Sequence, residues 1–294
     1  MSLIRYEHNG RPARLGWLEG GKVYDLEAAS GGRASGGDTR ALLGLGVAVV
    51  DQIVAAAKGG ASVAESDVKL LAPIVNPGKL LAVAGGYYPS ADSPRMGPDA
   101  QPYLFCKRTD DIAGPGDPIT LWQMSPDVVD EIEIAIVIGT GGKDIAKEDA
   151  LNHVYGYTIC NDVSGRRLAL PPAGRRDENF DGFIDWINGK WMDGFAILGP
   201  AILTKAEAGD LSDTRIQSRV SGEVRVDGST SNINVPWDEL IAFTSRILTL
   251  KPGDIITTGM PHGIGDEVYL KPGDVVEGEI AGLGILRNPV VPEV

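Results

Sequence analysis

The sequence predicts an α+β fold that is mainly β, with a roll or barrel-like sheet preceded by a small α+β domain. Three observations lead to this class: many short strand-like runs, turns containing Gly and Pro between them, and few segments with helical periodicity. The pattern of the chain changes at the stretch Pro73–Gly78, after which strand-like runs separated by turns dominate. We therefore predict a small N-terminal domain over residues 1–72 and a larger domain over residues 73–294.

The N-terminal domain is predicted to begin with strands and to continue with a helix. A Gly20-Gly21 turn joins the second and third strands as a hairpin. Apolar residues at helical spacing predict one helix over Arg40–Ala57, which Gly59 and Gly60 end. The predicted strands are Ile4–Tyr6, Ala13–Leu18 and Lys22–Leu26.

The larger domain is predicted to consist of short strands interrupted by two helices, Ala146–Val154 and Pro236–Thr249. Several of its turns contain the sequence Pro-Gly-Asp. The predicted strands are Lys79–Ala84, Tyr103–Cys106, Ile132–Ile138, Val154–Cys160, Ile197–Leu198, Arg215–Val220, Glu223–Asp227, Ile255–Thr258, Glu267–Leu270 and Val275–Ile280.

The composition favours an ordinary globular protein that acts on small molecules. The net charge of -13, from 40 acidic and 27 basic side chains, repels phosphate backbones and argues against nucleic-acid binding. Neither a membrane span nor a signal peptide is predicted, so we expect a cytoplasmic protein without a membrane partner. The two cysteines, Cys106 and Cys160, are expected to be small buried residues in core strands rather than a disulfide.

Two acidic residues stand at the beginning of an apolar strand. Glu131 and Glu133 are two positions apart, so their side chains point to the same face. Like charges placed together on a buried strand repel each other unless a cation lies between them. Carboxylate oxygens are the ligands that Mg²⁺, Mn²⁺ and Ca²⁺ prefer. The spacing therefore indicates a divalent-metal site.

A third acid, Asp162, stands directly after the end of another apolar run. The alternative to a metal site is that Glu131 and Glu133 lie on the wet face of an edge strand and that Asp162 caps a turn. Exposed acidic residues are the norm in proteins, so the residues alone leave both interpretations open.

Four blocks in order resemble the fumarylacetoacetate hydrolase family: VDEIEIAIVIG, YGYTICNDVSGR, GKWMDGFAILGP and LTLKPGDIITTGMPHGIG. The likeness runs from about Leu71 to the C-terminus, and the preceding part resembles the small leading domain of bacterial members. The resemblance implies a β-roll catalytic domain and a homodimer. It also implies that Mg²⁺ or Mn²⁺ is bound by Glu131, Glu133 and Asp162.

The resemblance further implies chemistry on small anionic 2-oxo or 2,4-dioxo carboxylates through a metal-bound enolate. The first hypothesis is hydrolysis of a C–C bond in an acylpyruvate or a fumarylpyruvate. The second is a tautomerase, decarboxylase or hydratase that acts on a 2-oxo acid such as oxaloacetate. The third, of another class, is a carboxylate-binding protein that has lost catalysis.

Three basic residues match basic positions of the family blocks. Lys190 is assigned to the substrate oxygens or the enolate; the alternative is a solvated loop lysine. Arg166 is expected to pair with the substrate or to support Asp162, unless it is a surface charge. Lys107 is a candidate for a structural role.

The catalytic base is the point at which the chain departs from the family. Family hydrolases and decarboxylases usually carry a His and a Glu three and six residues after a tyrosine. Aligning that tyrosine with Tyr87 places Ser90 and Ser93 there, and neither serine replaces an imidazole–carboxylate base. Asp92 could compensate in part.

The loop near the other end of the domain also departs, because Met260 stands where the family has a threonine. We expect Tyr87 and Met260 to contact the substrate. The adjacent His262 is a candidate base or substrate ligand, and the alternative is a surface histidine.

The segment 167–189 is longer than the family's usual connection and contains Arg175, Arg176, Phe180, Phe183 and Trp186. Two interpretations remain: a lid or dimer contact that rebuilds part of the site, or a solvated surface insertion.

Overall fold

The computed structural model describes residues 1–88, 101–169, 178–265 and 267–293. Among the described residues, 38% lie in strands and 22% in helices, which confirms the predicted α+β, mainly β class. Within the described ranges, no helix has the length and apolarity needed to span a bilayer.

The strands of the described residues are short in the N-terminal part and longest at the centre of the larger sheet. They are β1 (Ser2–His8), β2 (Arg14–Glu19), β3 (Lys22–Asp25), β4 (Ser62–Ala64), β5 (Val68–Leu71), β6 (Leu80–Ala84), β7 (Tyr103–Cys106), β8 (Ile112–Ala113), β9 (Ile119–Leu121), β10 (Val128–Val129), β11 (Ile132–Ile138), β12 (Val154–Asp162), β13 (Ser164–Gly165), β14 (Ala196–Thr204), β15 (Arg215–Val220), β16 (Glu223–Ser229), β17 (Ile255–Thr257), β18 (Val275–Ile280) and β19 (Gly284–Pro292).

The helices are few and mostly short. They are α1 (Leu26–Ala29), α2 (Thr39–Gly44), α3 (Val47–Lys58), α4 (Lys147–Ala150), α5 (Glu178–Gly189), α6 (Lys205–Ala208) and α7 (Trp237–Ile247). Short 3₁₀ turns cover Glu65–Asp67, Leu151–His153 and Thr230–Asn232.

Two sheets form the framework. The larger has the order β4-β3-β2-β1-β14-β12-β11-β17-β6-β7, with β5 also paired to β1 and β8 to β14. The smaller has the order β16-β15-β18-β19-β9, and β10 pairs with β13. The described strands do not close into a barrel, so of the two predicted forms the barrel-like one is not observed.

Strand β11 is buried on both faces, which explains its almost uninterrupted apolar sequence. Ile132 and its alternate neighbours pack in one core cluster with residues of the smaller sheet. Ala135 and Val137 pack on the other side, in a cluster that includes α2 and α3. Strand β18 packs closely against β11 because Gly278 of β18 lacks a side chain. A Cβ there would lie 2.5 Å from Cδ1 of Ile132.

The N-terminal strands extend the larger sheet. Ser2 and Leu3 of β1 pair with Leu203 and Ile202 of β14, in antiparallel register. Leu3 also shares a core cluster with residues of β11 and β14. The division into domains at residues 72 and 73 stays a prediction.

Three predicted segments differ from the structure. The helix over Arg40–Ala57 is two helices, because Gly46 adopts a φ of 90° that no helix allows. Glu267–Leu270 is not a strand. The helix predicted over Ala146–Val154 ends early, because Val154 begins the buried strand β12.

The prediction of two helices in the larger domain was incomplete, since α5 and α6 are also present. The expectation that Cys106 is buried was wrong: β7 ends the sheet order, and its residue Cys106 is exposed. Cys160, on an interior strand, is buried as expected. Both thiols are free.

Candidate active site

The pairing of β11 with β12 brings two acidic residues side by side. The amide of Asp162 donates to the carbonyl oxygen of Glu131 at 2.8 Å, and the Asn161 side chain accepts from the amide of Glu131 at 3.0 Å. Glu133 lies two residues further along, opposite Cys160. The predicted edge-strand alternative is therefore wrong, because β11 lies between β12 and β17.

The carboxylates of Glu131, Glu133 and Asp162 form one cluster, with a ligand oxygen of each within 4.8 Å of the others. Glu133 and Asp162 are each 1% exposed. Burial, together with the charges of Asp162 and Glu131, raises the pKa of Glu133 to about 8. The cluster therefore lacks the positive charge that would keep all three groups ionised at neutral pH.

Two lysines supply part of that charge. The Lys190 ammonium donates to Oε2 of Glu131 and to Oδ2 of Asp162, at 2.8 Å each. Lys107 lies 2.6 Å from Oδ1 of Asp162 and donates to the carbonyl oxygen of Val163 at 3.0 Å. Burial would raise the pKa of Asp162, but the two ammonium groups outweigh it and hold that pKa below its usual value. The solvated-loop alternative for Lys190 is wrong.

Arg166 supports a different carboxylate from the one predicted. Its Nη1 donates to Oε1 of Glu131 at 2.7 Å, and its Nη2 and Nε donate to Oε1 of Glu267 at 2.7 and 2.9 Å. Asp162 instead takes its cations from Lys107 and Lys190. Arg166 thus fixes the outer member of the acidic cluster, Glu131, which is the one that is partly exposed.

Helix α5 delivers Lys190 to the cluster. Its last residue, Gly189, packs against Gly165 of β13 so closely that a Cβ on Gly189 would lie 1.9 Å from the Gly165 carbonyl oxygen. Trp186 of the same helix packs on Phe105, with ring centroids 5.0 Å apart. The Lys190 ammonium lies 5.2 Å from the centroid of the Phe105 ring. Trp186 and Lys190 thus line the cavity.

Phe180 and Phe183 of α5 are, by contrast, 55% and 56% exposed. Both interpretations of the segment 167–189 stay predictions, because residues 170–177 lie outside the described residues.

A cavity of about 490 Å³ opens over the acidic cluster, which is a volume typical of ligand pockets. Its wall includes Glu131, Glu133 and Lys190. The predicted contacts Tyr87, Met260, His262 and Arg166 all line the same cavity. Tyr87 is buried, whereas His262 is exposed on the loop that follows β17. The structure thus brings these residues together at one cavity and leaves their roles as proposals.

Several residues singled out in the sequence lie outside the described residues. They are Ser90, Asp92 and Ser93 of the segment after Tyr87, and Arg175 and Arg176 of the segment before α5.

The donor set of the cluster fits a hard divalent cation. Three carboxylates lie close enough together to bind one ion. Without a cation, Glu133 would hold a proton at neutral pH. The amide of Gly259 donates to Oε2 of Glu133 at 2.8 Å and orients that carboxylate. Glu131, Glu133 and Asp162 would hold the ion. Mg²⁺ and Mn²⁺ share this ligand preference, and Ca²⁺ also accepts such oxygens.

Sequence reasoning missed three polar residues of the cavity wall: Asp130, Arg225 and Glu267. Asp130 precedes the predicted pair and accepts a short hydrogen bond from Ser218 of the smaller sheet. Burial raises the pKa of Asp130 above its usual value. Arg225 lies almost a hundred residues from the acidic strand, and no local pattern marks it.

Comparison with known proteins identifies one family. The family profile described as "Fumarylacetoacetate (FAA) hydrolase C-terminal" matches residues 76–291. A protein of Xenopus laevis, "Oxaloacetate tautomerase fahd2, mitochondrial", is 34% identical over 299 residues, covering 99% of this chain and 90% of its own. The human "Oxaloacetate tautomerase FAHD2A, mitochondrial" is 37% identical over 230 residues, covering 77% of this chain and 70% of its own.

Two solved structures have the same architecture over 100% of both chains. One is 5-carboxymethyl-2-hydroxymuconate delta-isomerase from Mycobacterium smegmatis, with a TM-score of 0.78 and 30% identity. The other is maleylpyruvate hydrolase from Sphingobium sp. SYK-6 in complex with manganese (II) ion and pyruvate, with a TM-score of 0.80 and 26% identity.

Proposed function

Because the chain belongs to the fumarylacetoacetate hydrolase family, we propose that it is a divalent-metal-dependent tautomerase that interconverts the keto and enol forms of a 2-oxo dicarboxylate such as oxaloacetate. Enzymatic relatives of this family support an enzyme over a binding protein without catalysis. The named tautomerases are relatives, and their reaction is carried to this chain as a proposal.

One observation carries the choice of reaction: the chain has the acidic cluster with its lysines but lacks the usual hydrolytic pair. The carboxylates of Glu131, Glu133 and Asp162 converge with Lys190. The positions at which family hydrolases usually carry His and Glu hold Ser90 and Ser93. Hydrolysis needs a base that activates water, whereas tautomerisation only moves a proton between carbon and oxygen. We therefore assign the retained residues to the second reaction as part of this proposal.

A divalent cation bound at the cluster would supply a Lewis acid that stabilises negative charge on the 2-oxo oxygen. The chain's own residues do the rest. Lys190, which is kept protonated by Asp162 and Glu131 although burial opposes this, donates hydrogen bonds to the oxygens of the bound substrate. His262, on the exposed loop of the cavity wall, carries the proton between C3 of the keto form and the 2-oxo oxygen that becomes the enol hydroxyl. Trp186 and Phe105 exclude water from the cavity wall beside Lys190.

A C–C hydrolase acting on a 2,4-dioxo acid is the second candidate. The solved maleylpyruvate hydrolase with manganese and pyruvate favours it, because that structure shares the architecture over its whole length. The cytoplasmic location and the homodimer also remain proposals, and the relatives compared above are named mitochondrial.

The two reactions are separated by their products. Purified protein with Mg²⁺ or Mn²⁺ is added to oxaloacetate trapped in its enol form, and the loss of enol absorbance and the release of pyruvate are followed together. We expect rapid loss of absorbance without pyruvate, abolished by EDTA. Acetylpyruvate and fumarylpyruvate are tested in parallel, and stoichiometric pyruvate from either would establish the hydrolase instead.

The matched control is the Glu131→Ala variant with the same metal concentration, since free metal ions also catalyse reactions of oxaloacetate. We expect this variant to lose metal content and activity together. Full activity and full metal content in Glu131→Ala would overturn the proposed site.

A further inference from the structure

Arg225 belongs to the smaller sheet, yet its side chain lines the same cavity as the acidic cluster of the larger sheet. It lies on β16, and its backbone is fixed to the loop that carries His262. The amide of Ile264 donates to the carbonyl oxygen of Arg225 at 2.7 Å, and Val226 pairs with Gly263 in an antiparallel bridge. A rigid strand therefore presents this guanidinium to the cavity.

The described residues contribute three cations to the cavity wall, and two of them are already bound by its acids. Lys190 binds the acidic cluster, and Arg166 bridges Glu131 and Glu267. Arg225 differs, because its ion pair is with Glu223, two residues earlier on the same strand. That carboxylate is 69% exposed, so the pair is screened by solvent and contributes little.

The Arg225 side chain also has a donor that is buried without an acceptor. Its Nε is shielded from solvent and has no hydrogen-bond partner among the described residues. A buried donor left unpaired costs free energy, and a guanidinium has the planar fork that matches a carboxylate. Asp130, another acid of the wall, accepts a short hydrogen bond from Ser218, and the nearby charge of Arg225 lowers its pKa against the stronger opposite effect of burial. Within the described residues, no acceptor is bound to this donor, so it is available to a ligand.

The charge of the site points in the same direction. Three carboxylates and one divalent cation leave a formal charge of minus one at the cluster, which Lys107 and Lys190 reverse. These charges suit the carboxylate and 2-oxo group at one end of a substrate. A second carboxylate needs a cation of its own, and in the described part of the wall Arg225 is the cation without a hydrogen bond or ion pair to an acid of the cavity.

We propose that Arg225 binds the distal carboxylate of a 2-oxo dicarboxylate and so makes the site selective for diacids over monoacids. The inference rests on the proposed function for the identity of the reaction, but its binding part stands independently. Arg225 is a specificity-determining residue here, and it takes no part in the proton transfer.

The test compares pairs of ligands that differ only in the distal carboxylate. Oxaloacetate and its 4-ethyl ester are the substrates, and the variants are Arg225→Gln and Arg225→Lys. We expect Arg225→Gln to raise KM for oxaloacetate about 10-fold to 100-fold with kcat nearly unchanged, since a charge-assisted pair is lost. Kinetics with the ester stay unchanged, and Arg225→Lys has a smaller effect because it keeps the charge without the fork.

The control variant is Arg215→Gln, which breaks another exposed ion pair of the same sheet, with Asp227, outside the cavity wall described here. We expect it to leave the diacid-to-ester ratio as in the wild type. Equal losses with both substrates in Arg225→Gln, or no loss with either, would overturn the proposal.

A binding measurement separates failure of this proposal from failure of the proposed reaction. Mn²⁺-loaded protein is titrated calorimetrically with L-malate and with L-lactate, which share a 2-hydroxy acid end but differ in the second carboxylate. We expect the wild type to prefer malate by about tenfold or more and Arg225→Gln to lose that preference. If the wild type shows the preference but no tautomerase activity, only the reaction is wrong. If it binds both acids equally, the role of Arg225 is refuted.

Discussion

The ammonium of Lys190 lies 2.8 Å from Oδ2 of Asp162, and the two side chains are 2% and 1% exposed. Such a pair is stable only while each member has its partner, because a buried charge without compensation is costly. Lys190 also shares the carboxylates that would hold a divalent cation. The lysine and the metal therefore act on the same oxygens. Replacing the lysine should strengthen metal binding and weaken catalysis.

Replacing Lys190 by Met is expected to strengthen Mn²⁺ binding, because one competing positive charge is removed, and to lower kcat about 100-fold, because a preorganised donor to the substrate is lost. The metal-free variant should unfold more easily, by about 3–5 kcal/mol. Calorimetric metal titration, kinetics and thermal unfolding measure these effects. Lys79→Met is the control. The ammonium of Lys79 lies 2.7 Å from Oδ2 of the buried Asp254, and this pair is not part of the described cavity wall. This variant should lose stability but keep metal affinity and kcat.

Metal affinity should rise with pH, because burial raises the pKa of Glu133 to about 8. Below that pH the metal-free protein holds a proton on Glu133 that binding must release, so the apparent affinity grows about tenfold per pH unit and levels off near pH 8. Titrations in buffers of different ionisation enthalpy measure the proton released. An affinity independent of pH between 6 and 8 would contradict the shift.

The same shift gives the metal-free protein a defined pH dependence of stability. Between the usual Glu pKa of 4.5 and about 8, the folded state holds one proton more than the unfolded state. The free energy of unfolding therefore falls as pH rises across this window and then becomes level. The Glu133→Gln variant cannot lose a proton there, so the difference between the two stability profiles isolates the contribution of Glu133.

Replacing Gly189 by Ala is expected to reduce both stability and activity, since its Cβ would meet the Gly165 carbonyl oxygen at 1.9 Å and move Lys190. Overpacking of this kind costs about 1–3 kcal/mol. Gly182 of the same helix is the matched control, because a Cβ there meets nothing within 4 Å. Gly182→Ala should retain activity and stabilise the helix by up to about 1 kcal/mol. Thermal unfolding and kcat of both variants decide the matter.

Replacing His262 by Gln is expected to lower kcat for tautomerisation about 100-fold or more while metal affinity stays the same, because a base is removed without touching the acidic cluster. His153 provides the comparison: it is bonded through Nδ1 to the Thr140 carbonyl oxygen at 2.8 Å, and it is not part of the described cavity wall. Wild-type turnover in His262→Gln would show that the histidine takes no part in the reaction and that another group is the base.

Local patterns predicted the bounds of several strands in both sheets. The apolar runs gave the bounds of β7, β11, β15 and β18 as the structure has them. They failed where a single backbone angle or the place of a strand in the sheet decides the outcome. Gly46 divides the predicted helix through its positive φ, and Cys106 is exposed because β7 ends the sheet order.

The candidate site was predictable only in part, for a related reason. Glu131 and Glu133 share a face through a spacing visible in the sequence, and the family blocks indicated Asp162 and Lys190. The partner of Arg166 was not visible, because Glu267 comes from a segment a hundred residues away. Arg225 reaches the cavity only because two sheets pack together, and such a meeting leaves no local signal.

The pairing of β1 with β14 also has a consequence for the chain's solubility. Ser2 and Leu3 pair with the backbone of Leu203 and Ile202, so β1 keeps this end of β14 from being an open sheet edge. A chain truncated before β6 would leave the donors and acceptors at this end of β14 open to pairing with another molecule. We expect such a truncation to aggregate through strand-to-strand association, even with every residue of the cavity wall in place.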